Sequence, residues 1–227
     1  MTLFELAYAC RLFGKDDAYD TLRPKLVQNP DLACDGQQQS LLEFLNKWGC
    51  RIKKDCFPSL KKNLQEWWSK NVSLLPGTDR DICSLTADER EQVGKSYDAL
   101  SSIGHRFKDT AAAKTLHAIR PRSLPMWDRR IRDWFLTIRA STQSSTGQIY
   151  AAFIRYVAEE ELSTLENDAN RLGYSLTHIP QLVEKPNYSL VKLVDEYYWI
   201  TKTREYTFPT RTELQQWLRW TEPAANQ

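Results

Sequence analysis

The chain has 227 residues, 41% hydrophobic and 26% charged, and its 31 Lys/Arg against 29 Asp/Glu leave a formal net charge of only +2. That composition argues against disorder, and the length suffices to bury a sizeable core. No apolar run approaches the roughly 18–20 residues that span a bilayer, and MTLFELAYACRLFG lacks a basic leader and carries Glu5 in its apolar part, so we expect a cytoplasmic protein with no membrane span and no signal peptide.

Thr2 and Glu5 form a capping-box pattern that predicts a helix over LFELAYACRLFG. Helices follow at Gln38–Trp48, stopped by Gly49, and at Pro58–Leu75, stopped by Pro76-Gly77. Trp67-Trp68 reads as core. Cys10, Cys34, Cys50, Cys56 and Cys83 read as reduced thiols. The tightest cysteine pair, Cys50 and Cys56, has no second pair beside it, and His105, His117 and His178 are scattered, so no metal site is expected. Thr86 with Glu89 repeats the box before EREQVGKSYDALSSI.

Lys108 to Ile119 reads as a helix because Asp109 sits in its first turn, alanines follow, and Pro121 ends it. Asp128 opens the next one, where free backbone N–H groups favour a carboxylate. STQSSTG (141–147) is a loop by composition, and Gln148–Leu172 is a long amphipathic helix ended by Gly173, with the acidic tract 159–161 as a solvated face. Asn187–Arg204 and Thr210–Trp220, the latter boxed by Thr210 and Glu213, close the chain. Period-2 alternation is scarce and no repeat stands out, which predicts a single all-α domain of about eight or nine helices. It divides into N-terminal helices (1–85), a central segment (86–140) and C-terminal helices (141–227).

Charge is uneven along this order. Residues 101–140 hold nine basic side chains (Arg106, Lys108, Lys114, Arg120, Arg122, Arg129, Arg130, Arg132, Arg139) against Asp109, Asp128 and Asp133, a net of +6, while the rest of the chain is net −4. Such a concentration is the footprint of a nucleic-acid surface. Residues 121–128, if extended, span about 25 Å, whereas a helix over 108–120 is about 18 Å long. The connection can therefore run back along the helix and set Asp128 beside the Ile103–Lys108 turn.

In this region the sequence resembles the helix–hairpin–helix DNA glycosylase superfamily, whose core is a hairpin of the form L-P-G-x-G-x-K, a helix, a proline-containing loop and an aspartate. Ile103-Gly104-His105-Arg106-Phe107-Lys108 falls on the hairpin, Pro121 on the proline and Asp128 on the aspartate; AAAKTLHAIRPRSLPMWDRRI also resembles a K-x-L-H…P…MWD pattern of bacterial relatives. The match covers about 35 residues. Arg106 replaces the second hairpin glycine, Trp127 stands where a small aliphatic residue is usual, and the cysteine cluster that many relatives use for iron and sulfur is missing.

The resemblance implies an all-α, two-lobed glycosylase fold around a cleft and a cytoplasmic monomer without cofactor. It also implies double-stranded DNA as partner, with a flipped, modified base excised to leave an abasic site. Catalysis falls to Asp128, which stabilises positive charge on the sugar or deprotonates water, with Lys108 or Lys114 as candidate nucleophiles. Gly104, His105, Arg106, Lys108, Arg129 and Arg130 are the candidate DNA contacts. Trp127, Tyr197 and Tyr198 are the candidate base-pocket walls, although consecutive aromatics on a helix cannot all face one cavity. The superfamily's small bacterial members include repair enzymes for oxidised or alkylated bases and an antiphage branch acting on hypermodified cytosine. The expected substrate is a bulky glucosylated hydroxymethylcytosine; the alternatives are a repair glycosylase and a non-catalytic DNA-binding protein.

Overall fold

Three capping boxes start three of the longer helices. In the computed structural model, which describes residues 1–26, 29–139, 144–210 and 212–213, the hydroxyls of Thr2, Thr86 and Ser145 accept the N–H of Glu5, Glu89 and Gln148, whose side chains return to the cap. Eleven α-helices are present among the described residues, with no β-sheet: α1 Leu3–Phe13, α2 Asp17–Leu26, α3 Asp35–Lys47, α4 Phe57–Asn71, α5 Ala87–Ser101, α6 Asp109–Ile119, α7 Arg129–Ile138, α8 Thr146–Tyr156, α9 Leu162–Arg171, α10 Ile179–Leu182 and α11 Leu190–Tyr198. The protein is all-α, and none of these helices is long and apolar enough to cross a membrane.

Two helices go beyond the sequence expectation. In α2, Pro24 sits inside the helix and hides its pattern, and α10 is a single turn behind Pro180. The expected helix Gln148–Leu172 is instead α8 and α9 joined by a π-helical turn at Val157–Glu161. Its acidic tract is not uniformly solvated: Glu159 pairs with Arg90 and Glu160 with Arg139, but Glu161 is buried and accepts the Tyr156 hydroxyl at 2.9 Å. A second π-helical turn, Trp199–Thr203, extends α11. The expected helix Thr210–Trp220 lies outside the described residues past its first turn, where Glu213 donates its N–H to Thr210 Oγ1 at 3.3 Å.

The core runs from α1 to α11, which pack on each other, and α5 lies along α8. At its centre Trp127 stacks on Phe153, 5.2 Å between centroids, and donates Nε1–H to Tyr97 Oη at 3.1 Å. The segment before it is held at each step: Ser189 Oγ donates to Pro121 O, His117 Nδ1 bonds Leu124 O and Tyr150 Oη donates to Pro125 O, all at 2.6–2.8 Å. His117 is fully buried, and desolvation drives its pKa down to about 3, so the ring is neutral and Nδ1 carries the donated hydrogen.

Helices α5 and α8 touch backbone to backbone. A Cβ on Gly94 would lie 2.6 Å from the Gly147 carbonyl oxygen, with no flexible side chain to yield. Gly94→Ala gains helix propensity of about 1 kcal/mol but forces the helices apart at a cost of about 1–3 kcal/mol. We expect a net loss, read as a lower denaturant midpoint; an unchanged or raised midpoint would show that the pair tolerates separation.

Candidate active site and adjoining basic groove

Asp128 is the N-cap of α7. Its Oδ1 accepts the Ile131 N–H at 2.9 Å and its Oδ2 accepts the Thr203 hydroxyl at 2.6 Å, so both oxygens are held as acceptors. Thr203 reaches it because the π-helical turn shifts the register after α11. Nothing in the sequence pattern marks that shift.

A second charged group lies beneath. Lys192 points from α11 into the core, wholly buried, its Nζ 3.2 Å from Asp16 Oδ2, 3.3 Å from Glu196 Oε1 and 3.5 Å from Asp195 Oδ2. The rings of Phe13, Trp48, Tyr19 and Tyr188 surround the ammonium at 4.6–5.7 Å. Burial alone would lower its pKa, but Asp195, Glu196 and Asp16 outweigh that and hold it above the ordinary lysine value. Asp16 Oδ1 also caps α2 through the Tyr19 N–H at 3.0 Å and accepts the Trp48 indole N–H at 3.1 Å.

Over this cluster opens a cleft of about 480 Å³. Its lining includes Asp16, Trp48, Lys114, Trp127, Asp128, Asp195 and Trp199. Lys114 donates Nζ–H to the Trp48 carbonyl at 2.6 Å and lies over the Trp48 ring at 5.4 Å. Trp199 packs edge-on against Phe13, and the Arg204 guanidinium lies 4.4 Å from its ring centroid. Burial raises the Asp195 pKa to about 6, against the lowering pull of Lys192 and Lys114 and with the repulsion of Glu196 and Asp16.

A second concavity meets the first at Gly49. It is lined by Gly49, Cys50, Arg51, His105, Arg106, Lys108, Thr110 and Ala111, with no carboxylate among them. Gly104 and Phe107 form a one-bridge hairpin whose back is fixed by Asn63 Nδ2 donating to Ile103 O at 2.6 Å. A Cβ at Gly104 would lie 2.6 Å from Leu60 Cδ2, so the end of that side chain would have to move to admit one. Lys108 caps α6 without a side-chain bond, leaving the first-turn N–H groups of that helix open. Arg51 has φ 53°, an uncommon backbone state for a side chain of its size, and supplies a cation the sequence reading missed.

The candidate residues therefore separate into two places. Asp128 and Lys114 share the cleft, while Lys108, His105 and Arg106 line the groove, so Lys108 and Asp128 do not share a concavity as expected. The chain does run back along α6, since Arg132 of α7 pairs with Asp109. Arg129 and Arg130 are exposed but pair with Asp133 and Glu205 and do not line the groove. Trp127 contributes only an edge, its ring being 1% exposed and used by the core. Tyr198 is equally buried, and Tyr197 stacks on Phe208; neither lines the cleft, whose open aromatic walls are Phe13, Trp48 and Trp199. The missed residues Asp195 and Lys192 had one trace in the sequence, charges at i and i+3 on a helix otherwise rich in aliphatic residues.

A family of unknown function, DUF6308, matches residues 53–181, more than half of the chain. The chain belongs to that family. No curated protein and no solved structure matches it. The DUF6308 match contains the hairpin, Lys114 and Asp128, while Asp16, Lys192, Asp195, Trp199 and Thr203 lie outside it.

Removing the buried cation tests how the cleft floor is held. Lys192→Met leaves Asp16, Asp195 and Glu196 facing one another, which should cost about 3–5 kcal/mol at neutral pH. Without the ammonium, Asp195 loses the charge that opposes the effect of its burial, so its folded pKa moves further above the unfolded one, the folded variant binds more protons and its deficit shrinks as pH falls. Denaturant midpoints at pH 7.5 and 5.5 measure both effects; an equal deficit at the two values would show that the carboxylates do not depend on Lys192.

Proposed function

We propose that this protein is a helix–hairpin–helix DNA glycosylase, with helical lobes on either side of the cleft, that hydrolyses the N-glycosidic bond of a flipped base and leaves an abasic site. The observation that carries the reading is the junction at Gly49: a cleft with an oriented carboxylate and aromatic walls adjoins a groove of cations with no acid in it. The groove, with Arg51, His105, Arg106, Lys108 and the start of α6, has the donors that clamp phosphates. The cleft has what an extruded base needs, flat walls at Trp48 and Trp199. As the C1′–N bond breaks, positive charge grows on the sugar, and Asp128, fixed by Ile131 and Thr203, supports that charge or accepts a proton from the attacking water.

The cleft volume lies within the roughly 300–1,000 Å³ common for small-ligand sites and exceeds what a bare pyrimidine fills. That room favours a bulky base, and we name glucosylated hydroxymethylcytosine of phage DNA as the substrate, with oxidised or alkylated bases as the rival set. Lys114 is committed to the Trp48 carbonyl and Lys108 lies in the neighbouring groove, so we expect simple hydrolysis, the strand remaining intact until alkali cuts it.

Asp128→Asn keeps shape and removes charge. On phage DNA with glucosylated cytosines, and on oligonucleotides bearing 8-oxoguanine or alkylated purines, wild type should release the bulky cytosine, measured by mass analysis of freed bases. The variant should lose at least about 100-fold in rate while binding DNA as before. Release confined to the oxidised or alkylated bases would move the substrate to repair, no release from any DNA would leave a binding protein, and an active variant would remove Asp128 from the chemistry.

Duplex affinity should depend on salt through few contacts. Replacing Arg106 or Lys108 by alanine should weaken binding and reduce the slope of log K against log salt by about 1 each. Arg130→Ala, whose guanidinium is already paired with Glu205, should change the slope less. Equal slopes for wild type and both groove variants would place DNA elsewhere.

A further inference from the structure

We infer that Asp195 is a second catalytic residue of the cleft, the acid that protonates the departing base while Asp128 serves the sugar and water. This rests on the glycosylase reading and adds a residue to it. The two aspartates line one cleft but are held in opposite ways. Asp128 has a donor on each oxygen. Asp195 has a single long contact, Lys192 Nζ at 3.5 Å from Oδ2, and its Oδ1 takes no hydrogen bond from any described residue. Its side chain is 12% exposed, enough to meet a ligand in the cleft.

Burial favours a proton on Asp195, against the pull of the two lysines beside it. From α11, Lys192 and Glu196 face the cluster; from the start of α2 comes Asp16, and from α6 Lys114, while Lys185 reaches Glu196 at 2.5 Å and not Asp195. Three carboxylates share one buried ammonium, and Asp16 Oδ2, on a side chain only 6% exposed, has no hydrogen-bond donor of its own. Glu196 is fully buried and also paired with Lys185, so Asp195 is the member of the set with most access to solvent and best placed to take up and give back a proton. Its pKa near 6 leaves a useful fraction protonated at neutral pH.

The step balances without any further reagent. The C1′–N bond breaks and its electron pair goes to the base, which takes the Asp195 proton and leaves neutral. A water oxygen bonds to C1′ and gives its proton to Asp128. One water is consumed, and exchange with solvent returns a proton to Asp195 and removes one from Asp128.

The test is single-turnover base release by the full chain from pH 5 to 8. Wild type, Asp195→Asn and Asp128→Asn act on the DNA that wild type cleaves and on an oligonucleotide carrying a cationic alkylated purine, which departs without needing a proton. Wild-type release of the neutral base should fall about tenfold per pH unit above pH ~6. Asp195→Asn should be slower by roughly 10²–10³ near pH 6, should lack that fall, and should lose far less on the cationic base. Asp128→Asn should be impaired on both. An Asp195→Asn enzyme within threefold of wild type, one slowed equally on both bases with the fall retained, or a wild-type rate flat from pH 6 to 8 would each overturn the inference while the glycosylase reading stands. If the variant does not fold, the wild-type profile on the two bases decides alone. Wild type that frees no base from any DNA overturns the reading and this inference together.

Discussion

A buried ammonium sets the terms for everything around the cleft. Lys192 belongs to the residue type least often found fully inside a protein, and stripping it of water costs several kcal/mol that only close partners repay. Its partners come from α1 (Phe13), the start of α2 (Asp16, Tyr19), the end of α3 (Trp48), the segment before α11 (Tyr188) and α11 itself. Segments far apart in sequence are fixed by a single charge that tolerates no loss of them. Replacing such a cluster wholesale with apolar side chains is often neutral or stabilising. Its presence under a solvent-reached cleft is therefore poorly explained by stability and better explained by what the cleft has to do.

The positive stretch at 101–140 looks different once its partners are known. Arg122, Arg129, Arg130, Arg132 and Arg139 each pair with a carboxylate, Arg120 is buried against the carbonyls of Pro76 and Ile119, and Lys114 serves Trp48. Arg106 and Lys108 alone of the nine have no such partner among the described residues, and they stand in the groove with Arg51 and His105. Much of the apparent field thus ties α7 to its neighbours. The exposed pairs are worth little in stability and can open to a polyanion, whereas the groove cations have no acid to leave. A nucleic acid would be recognised over a short length, by about three or four phosphate contacts rather than a long stripe.

Local chemistry was legible in the sequence and register was not. Capping boxes at Thr2 and Thr86 and the N-cap at Asp128 depend on residues three apart, and the structure has them as read. The return of the chain from Pro121 to Asp128 followed from length alone, and the Arg132–Asp109 pair agrees with it. Trp199 lines the cleft while Tyr197 and Tyr198 do not, because the choice among the three turns on about 100° of helix rotation, and a π-helical turn follows at once. Trp127 misled for another reason. Its indole N–H finds Tyr97 across 30 residues, which turns a candidate wall into the centre of the core. Lys192 was hidden because its partners lie in four other places, and no window of sequence holds them together.

The same cluster bears on whether this chain is an enzyme or a binding protein. A surface that only grips phosphate needs the groove, and the groove is complete without Asp16, Asp195, Glu196 or Lys192. Carboxylates in the adjoining cleft would weaken its hold on a polyanion, because like charges repel, and more strongly where water is partly displaced. Both aspartates are thus a cost to plain binding, and in the proposed reaction Asp128 meets the positive charge that develops on the sugar while Asp195 supplies a proton to the base. A sugar losing its base supplies that charge, briefly and at the cleft rather than along the duplex. Cations outside and carboxylates within suit the proposed reaction, which passes through a cation on a polyanionic substrate, and this is the physical reason for proposing catalysis rather than plain binding.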